Sequence, residues 1–267
     1  MNSIEILCTT MFQKDFSKIK SMNIHSDIIF ANQANENSFE EISFEDHVAK
    51  MVTTKSRGVG LNRNIALLAA TKDILLFADD DVVYVDDLEK IIKDAFSLYS
   101  KADVIAFGMS FSKDGVVYKS RVPKRGRIPI YKSLKFGTVA LAVRRKSLLK
   151  TGIVFTQLFG GGCIYAHGED SDFILQCFKA KLNVYGYDAI IGCTSKDSST
   201  CFAGYNEKFF YDTGALAKYS FKKWAFPYMA YMAFRIKKDC VVSFTKKIKC
   251  MIDGYKSFKS LKKFEDG

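Results

Sequence analysis

The fold class of this chain is most evident in one segment, Ile74-Leu-Leu-Phe-Ala-Asp-Asp-Asp-Val-Val-Tyr84. Its first five residues are a short apolar run, which is typical of a buried strand in a parallel sheet. Three carboxylates, Asp79, Asp80 and Asp81, follow where that strand should end. Because ligands of open α/β sheets bind at the carboxyl ends of strands, the segment predicts a strand that leads into a functional site.

Strands and helices are predicted to alternate on both sides of this segment. Apolar runs predict strands at residues 4–8, 27–31, 50–54 and 103–109. Helical periodicity predicts helices at residues 61–70 and 86–99, the second with Asp86 as its N-cap. Farther along the chain we expect strands at residues 136–143, 184–187 and 189–193 and a helix at residues 168–181. This alternation predicts an α/β fold with a Rossmann-like, mostly parallel central sheet flanked by helices.

The charge of the chain is concentrated near its C-terminus. The net charge is +11 over 267 residues, and residues 215–267 contain thirteen Lys and Arg against four Asp and Glu. Apolar stripes in the same region predict amphipathic helices at residues 224–236 and 246–264. We expect this region to contact an anionic membrane surface through Trp224, Phe226, Tyr228, Lys237 and Lys238. The alternative is that these aromatic residues pack on the rest of the protein.

Other features of the composition restrict the class of protein. The seven Cys are odd in number and form no CxxC pair, which argues against a zinc cluster or a disulfide framework. The first residues lack the basic and apolar regions of a secretory signal. We therefore expect a cytoplasmic protein that lies peripherally on the inner face of the cell membrane.

Three groups of residues are candidates for chemistry. The acidic triplet at 79–81 offers hard oxygen ligands for Mg²⁺ or Mn²⁺ carrying phosphates, although a solvated acidic turn is the alternative. The segment His167-Gly-Glu169-Asp170 precedes a predicted helix, where a carboxylate could be a general base or simply a helix cap. Arg57 and the triplet Asn62-Arg63-Asn64 could bind phosphate, because Arg forms bidentate contacts with it.

Four motifs follow one another in a set order. They are the first strand with Thr9-Thr10, Gly60-Leu-Asn-Arg63-Asn64, the strand that ends in Asp79-Asp80-Asp81, and Gly168-Glu169-Asp170. In this order they resemble an inverting family 2 glycosyltransferase of the GT-A fold, of the type that builds bacterial surface polysaccharides. The resemblance implies a GT-A glycosyltransferase domain at residues 1–215. A basic, helical, membrane-associating region would follow at residues 216–267.

The resemblance also implies a role for each matching residue. Asp81 and Asp79 would ligate the Mn²⁺ or Mg²⁺ ion that bridges the phosphates of a nucleotide-sugar donor, expected to be a UDP-sugar. Asp170 would be the general base that deprotonates the acceptor hydroxyl, assisted by Glu169. The implied donor contacts are Thr9, Thr10, Asn32, Gln33, Arg57, Arg63, Asp79 and Asp80. The implied acceptor contacts are Gly161, Gly162 and His167.

The implied activity is transfer of a single sugar, as in a hexosyltransferase. The acceptor would be a hydroxyl of a saccharide or a polyprenyl-linked molecule in cell-surface polysaccharide synthesis. The Gln-x-x-Arg-Trp motif of processive synthases is absent, since Phe221-Lys-Lys-Trp224 does not match it. The chain also departs from the family where its second strand ends in Asn32-Gln33 rather than Asp-Asp, and where Cys193 stands in place of a His.

Two other classes of function remain open from the residues alone. A nucleotidyltransferase also places acidic metal ligands beside a nucleotide, but usually has a Gly-rich loop after its first strand. Residues 8–12 contain no Gly. A non-enzymatic protein could bind a membrane or a nucleic acid through the basic C-terminal region. That class leaves the two acidic clusters unexplained, so we expect no nucleic-acid partner.

Overall fold

The computed structural model describes residues 3–195, 204–236 and 240–258. The chain divides into two compact units. Unit 1 consists of Met1–Arg57, Leu61–Phe155 and Phe173–Ser199, and unit 2 of Gly58–Gly60, Thr156–Asp172 and Thr200–Gly267. Unit 2 thus includes residues well before position 216, and the functional division at residue 215 stays a prediction.

Unit 1 contains a sheet whose strands, within the described residues, are β1 (Ile4–Met11), β2 (Asp27–Gln33), β3 (Ser38–Phe44), β4 (His47–Thr54), β5 (Ile74–Asp79), β6 (Val82–Tyr84), β7 (Val104–Lys113), β8 (Val116–Arg121), β9 (Gly126–Arg127), β10 (Leu141–Arg144) and β11 (Val184–Ser195). Their order is β3-β4-β2-β1-β5-β10-β7-β11-β6, with β8 paired to β7 and β9 to β11. The helices of the described residues are α1 (Lys18–Ser21), α2 (Val59–Ala69), α3 (Leu88–Leu98), α4 (Ile130–Ser133), α5 (Arg145–Thr151), α6 (Glu169–Lys179), α7 (Glu207–Leu216), α8 (Ala225–Arg235) and α9 (Phe244–Ser257).

The α/β fold is confirmed, but the sheet is mixed rather than mostly parallel. Strands β4, β2, β1 and β5 run parallel to one another. Strand β10 then lies antiparallel between β5 and β7, because the chain reaches it through the short helix α4 and a turn rather than through a crossover helix. The parallel block brings the carboxyl ends of β1, β2 and β5 to one edge.

Apolar side chains cover both faces of this sheet. Ile74, Leu76 and Ala78 belong to the cluster that includes the apolar face of α3. Leu75 and Phe77 belong to the opposite cluster, which includes residues of α2, α5 and α6. Because both faces are buried, β5 is a continuous apolar run and shows no polar alternation.

Several predicted boundaries are wrong in detail. Asp86 is not the N-cap of α3, since the helix begins at Leu88 after Asp87, and Asp86 instead accepts a hydrogen bond from Asn23 Nδ2. Residues 138–140 form a 3₁₀ turn, which leaves only β10 of the strand predicted at residues 136–143. The strands predicted at residues 184–187 and 189–193 are one strand, β11, with irregular register near Ile190.

Unit 2 has its own packing around helices α7 and α9. A Cβ at Gly214 of α7 would lie 1.9 Å from the backbone oxygen of Met251, and a Cβ at Gly254 of α9 would lie 1.9 Å from that of Tyr211. The two helices therefore meet backbone to backbone, and only glycine fits at the two contact points. Within the described ranges, every helix is too short or too polar to cross a lipid bilayer.

Candidate active site

The carboxyl ends of β1 and β5 hold two of the three clustered aspartates. Thr9 pairs with Asp79 across these adjacent parallel strands. The hydroxyl of Thr9 donates a hydrogen bond of 2.9 Å to Asp79 Oδ1, and the hydroxyl of Thr10 donates one of 2.8 Å to Asp80 Oδ2. Both threonines are buried. The hydrogen bonds from the two threonines therefore fix the orientation of the Asp79 and Asp80 carboxylates.

Arg63 supplies a positive charge to the same group from helix α2. Its Nη2 donates to Asp79 Oδ1 at 3.1 Å, and its guanidinium lies 5.3 Å from the centroid of the Phe155 ring. The Arg63 side chain is only 4% exposed, whereas that of Asp79 is 41% exposed. The guanidinium thus lies behind the carboxylate and leaves its outer side accessible.

Asn64, next to Arg63, fixes the helix to the chain that carries Phe155. Asn64 Nδ2 donates to the backbone oxygen of Phe155, and the backbone N–H of Phe155 donates to Asn64 Oδ1, both at 2.8 Å. This two-way hydrogen bond holds α2 in the position that Arg63 requires.

The environment of Asp81 disfavours the charged form of its carboxyl group. Burial, followed by repulsion from Asp79 and Asp80, raises the pKa of Asp81 from its ordinary value of 3.8 to about 6. Lys18 lies nearby, with its Nζ 2.9 Å from the backbone oxygen of Asp80 and 3.6 Å from Asp80 Oδ2. One lysine and one arginine do not balance three carboxylates, so an additional cation at this position would be stabilised.

The donor set suits a cation that arrives with phosphate groups. Within the described part of the chain, no three His, Cys, Asp or Glu side chains converge into a group that could enclose a metal ion. Mg²⁺ and Mn²⁺ accept carboxylate oxygens, and Mg²⁺ is commonly held by one or two carboxylates together with substrate phosphates and water. Asp79 and Asp81 fit that mode of binding, in which the ligand completes the coordination.

The end of β2 carries Asn32 and Gln33, two residues that the family resemblance predicts to contact the donor nucleotide. Both side chains are buried. Asn32 Nδ2 donates to the backbone oxygen of Gln13 at 2.9 Å, and Asn32 Oδ1 accepts from the Gln13 N–H at 3.0 Å. The Asn32 amide therefore fixes the turn after β1, where it shapes the edge of the site.

Arg57 braces the segment that follows β2. Its Nη1 donates to the backbone oxygen of Ala34 at 2.8 Å, and its Nη2 donates to Asn35 Oδ1 at 2.9 Å. The guanidinium also lies 5.5 Å from the centroid of the Phe12 ring. Arg57 thus holds the turns after β1 and β2 together at the edge of the sheet.

Glu169 and Asp170 lie in unit 2, in the first turn of α6. Carboxylates in this position are stabilised by the helix dipole. Gly160 approaches Glu169 so closely that a Cβ at residue 160 would lie 2.9 Å from the Glu169 carboxyl carbon and 2.5 Å from Val59 Cγ1. The backbone oxygen of Gly161 accepts from the N–H of Val59 at 2.9 Å. The glycines are needed for close packing as well as for a turn.

Two other polar residues near this turn are bound within unit 2. His167 stacks on Phe209 with ring centroids 4.2 Å apart, and its Nε2 donates to the backbone oxygen of Phe209 at 3.0 Å. Burial lowers the pKa of His167, which therefore stays neutral at pH 7. Asp172 is buried and accepts a hydrogen bond of 2.7 Å from the Ser220 hydroxyl. Its role is structural.

The structure thus brings together Thr9, Thr10, Arg63 and the three aspartates in unit 1. Gly161, Gly162, His167, Glu169 and Asp170 lie in unit 2, where Gly160 packs against the Glu169 carboxylate and His167 is bound to Phe209. Sequence reasoning missed Lys18 and Asp212, a buried carboxylate of α7. Lys18 bonds to Asp80, 62 residues away along the chain, and Asp212 bonds to Ala166, 46 residues away, as well as to Lys208 in its own helix. Contacts between such distant residues cannot be read from a local sequence pattern.

The residues predicted to contact a membrane are placed differently from one another. Trp224 is 62% and Phe226 60% exposed. Tyr228 stacks on Phe221 with ring centroids 3.8 Å apart and is half-buried. Lys237 and Lys238 lie outside the described residues.

Comparison with family models gives a match to part of this chain. Residues 24–152, just under half of the chain, match the family model "Glycosyl transferase family 2". A comparison with curated proteins gave no match.

Solved structures of TarS from S. aureus share the fold. The fragment 1–349 in complex with UDP-GlcNAc is 12% identical, with a TM-score of 0.55 over 96% of this chain and 73% of that chain. The same fragment in complex with UDP is 12% identical, with a TM-score of 0.54 over 97% of this chain and 72% of that one. The longer TarS structure is 11% identical, with a TM-score of 0.54 over 95% of this chain and 43% of that one.

Proposed function

We propose that this chain is a family 2 glycosyltransferase of the GT-A fold, which transfers one sugar from a UDP-sugar to an acceptor hydroxyl with inversion. The observation that carries the proposal is the aspartate cluster at the end of β5, held by Thr9, Thr10 and Arg63. The TarS structures with UDP-GlcNAc and with UDP support a uridine nucleotide as donor.

The donor half of the reaction uses the carboxylates of unit 1. Thr9 and Arg63 orient Asp79, while Thr10 and Lys18 orient Asp80. Asp81 and Asp79 would hold Mn²⁺ or Mg²⁺, which supplies positive charge against the negative charge that develops on the departing nucleoside diphosphate. Arg63 is largely buried, so its charge is poorly screened and its ion pair with Asp79 is strengthened.

The acceptor half uses the carboxylates at the start of α6. Asp170 accepts the proton of the acceptor hydroxyl as the oxygen attacks the anomeric carbon. The attack comes from the face opposite the leaving phosphate, so the configuration of the anomeric carbon inverts. Glu169 binds the acceptor beside Gly161 and Gly162. His167 shapes this segment from inside unit 2 through its stacking on Phe209.

The acceptor we propose is a saccharide or a polyprenyl-linked molecule of cell-surface polysaccharide synthesis, reached at the inner face of the membrane. Helix α8 and the turn before it support this placement. Trp224, Phe226, Tyr231 and Phe234 are each at least half exposed, and Lys222, Lys223 and Arg235 beside them are exposed as well. Exposed aromatic residues among cations suit the interface of an anionic bilayer, with about 1 kcal/mol contributed by each cation near the surface.

The catalytic proposal is tested with Asp170→Asn. This variant should bind UDP-sugar with unchanged affinity in thermal-shift titrations and lose at least about 100-fold in transfer rate, as expected for a missing general base. Asp253→Asn, an exposed carboxylate of α9, is the matched control and should keep both values. Transfer by Asp170→Asn at the control rate would show that Asp170 is not the base.

The membrane proposal is tested by sedimentation with vesicles. Trp224→Ala combined with Phe226→Ala should lower binding to phosphatidylglycerol-containing vesicles by at least about tenfold, because burying each large side chain contributes roughly 1.5–3 kcal/mol. Tyr131→Ala removes an aromatic residue of unit 1 that is 69% exposed and should bind as the wild type does. Equal binding of all three proteins, or equal binding to pure phosphatidylcholine, would refute a role for this face.

A further inference from the structure

Asp212 of helix α7 is a carboxylate with 0% exposure in the interior of unit 2. Its Oδ2 accepts a hydrogen bond of 2.8 Å from the backbone N–H of Ala166 and one of 2.6 Å from Lys208 Nζ. Its Oδ1 is buried and has no hydrogen-bond partner within the described residues. A charged group is thus buried with one lysine and one backbone donor.

Stability alone does not explain this group. Burying a charge costs several kcal/mol, and an apolar replacement of similar volume is often neutral or stabilising. What the carboxylate adds is a directed contact, because a hydrogen bond from a backbone N–H to an ionised acceptor is short and strong. That contact is made to Ala166, three residues before Glu169 and four before Asp170.

The two residues after Ala166 also contact helix α7 closely. His167 donates to the backbone oxygen of Phe209 in α7. Gly168, at φ +120°, packs so tightly that a Cβ there would lie 2.8 Å from a Leu216 methyl group. Helix α6 begins at the next residue, so α7 defines where its first turn starts.

Helix α7 is itself held by α9, the last described helix of unit 2. Gly214 and Gly254 allow the α7 and α9 backbones to touch, and backbone contacts leave no side chain that could rotate to absorb a shift. Residues 165–168, α7 and α9 therefore form one continuous packed path that ends at Glu169 and Asp170.

We propose that Asp212 is a positioning residue, which orients Glu169 and Asp170 toward the acceptor through the N–H of Ala166. The inference rests on the proposed function, in which Asp170 is the general base. In this proposal α7 and α9 hold the catalytic carboxylates in position, a role that is separate from any contact with a membrane.

The test compares Asp212→Ala, which removes the acceptor of the Ala166 N–H, with Asp212→Asn, whose amide oxygen can still accept it. Asp212→Ala should lower kcat for transfer by about 10–100-fold, because a displacement of about 1 Å at a catalytic group has this effect. The donor KM should change less than about twofold, and Asp212→Asn should restore at least part of kcat. Asp253→Ala, on the exposed side of α9, should leave kcat unchanged.

A folded Asp212→Ala variant with wild-type kcat would overturn the proposal. So would an Asp212→Asn variant that is no better than Asp212→Ala. If Asp212→Ala does not fold, the double variant Asp212→Leu with Lys208→Met keeps the volume, removes the unpaired lysine and still lacks the acceptor. The proposal expects this double variant to lose kcat, and wild-type kcat in it would refute the role.

Failure of the proposed function gives a different result. If Asp170→Asn transfers sugar at the wild-type rate, the assignment of the base is wrong whatever Asp212 does. If Asp170→Asn is inactive and Asp212→Ala is fully active, only the positioning role is wrong.

Discussion

Gly254→Ala is a substitution for which two physical effects predict opposite signs. Alanine is favoured over glycine in a helix interior by about 1 kcal/mol, so helix propensity alone predicts a more stable protein. The structure places the new Cβ 1.9 Å from the backbone oxygen of Tyr211 and 2.7 Å from its carbonyl carbon. No side-chain rotation relieves this clash, because the neighbouring atoms are backbone.

The loss of stability caused by Gly254→Ala follows from how far α7 and α9 would have to separate. Moving from 1.9 Å to an ordinary contact of about 3.4 Å requires a shift of more than 1 Å between α7 and α9. Such a shift would open the apolar cluster that contains Phe210, Cys250 and Met251. Overpacking of a core costs about 1–3 kcal/mol and occasionally more, and a clash with backbone belongs at the upper end. After the gain in propensity, we expect a net loss of about 2 kcal/mol.

Thermal unfolding followed by circular dichroism measures this loss. For a chain of this size, 1 kcal/mol corresponds to roughly 2–4 °C in Tm, so Gly254→Ala should melt about 4–8 °C below the wild type. Asp253→Ala introduces an alanine one position earlier in the same helix, on an exposed side where its Cβ meets no backbone, and should stay within about 2 °C of the wild type. A Tm for Gly254→Ala that is unchanged or raised would refute the backbone contact between α7 and α9.

Two further predictions concern unit 1. Asp81→Asn should raise the Tm of the ligand-free protein at pH 7.5, because burial and then Asp79 and Asp80 raise the pKa of Asp81 to about 6 and so disfavour its charged form. A raised carboxyl pKa gives the wild type stability that is fully present below the unfolded value of 3.8 and is lost as the pH rises through about 6. The difference in Tm between Asp81→Asn and the wild type should therefore shrink toward pH 4. A variant less stable than the wild type at pH 7.5 would contradict this prediction. Asn64→Ala should lower the free energy of unfolding, measured in urea, by about 2–4 kcal/mol, because both the N–H and the carbonyl of Phe155 lose their buried partners. A change below about 0.5 kcal/mol would contradict the two hydrogen bonds between Asn64 and Phe155.

Much of the fold can be predicted from the sequence because the central strands are buried on both faces. β1, β2 and β5 each contain a buried, mostly apolar segment, and the predicted ends of these strands agree with the structure to within a few residues. The edge strands β3 and β8 are not predicted from the sequence, because apolar and charged residues mix in them without the regular alternation that predicts a strand. Their pairing depends on neighbours that the sequence does not mark.

The candidate site divides in the same way. Asp79, Asp80 and Asp81 could be identified because the end of a buried strand is a defined place in an α/β sheet. The hydrogen-bond partners of those residues could not be predicted, because they come from distant parts of the sequence. Arg57 and Asn32 carry the residue types expected of ligand contacts, and the structure shows both of them bonded to nearby backbone atoms of the chain.

We propose that the aspartate cluster binds a sugar nucleotide together with a divalent cation. The measurement that tests it most directly is thermal stabilisation of the wild type and of Asp81→Ala by a panel of sugar nucleotides, with and without Mn²⁺. A ligand present at 100 times its Kd adds roughly 2.7 kcal/mol, a shift that is easily measured. We predict a Mn²⁺-dependent shift with a UDP-sugar that disappears in Asp81→Ala. A wild type that no nucleotide stabilises, or an equal shift in Asp81→Ala, would contradict the account.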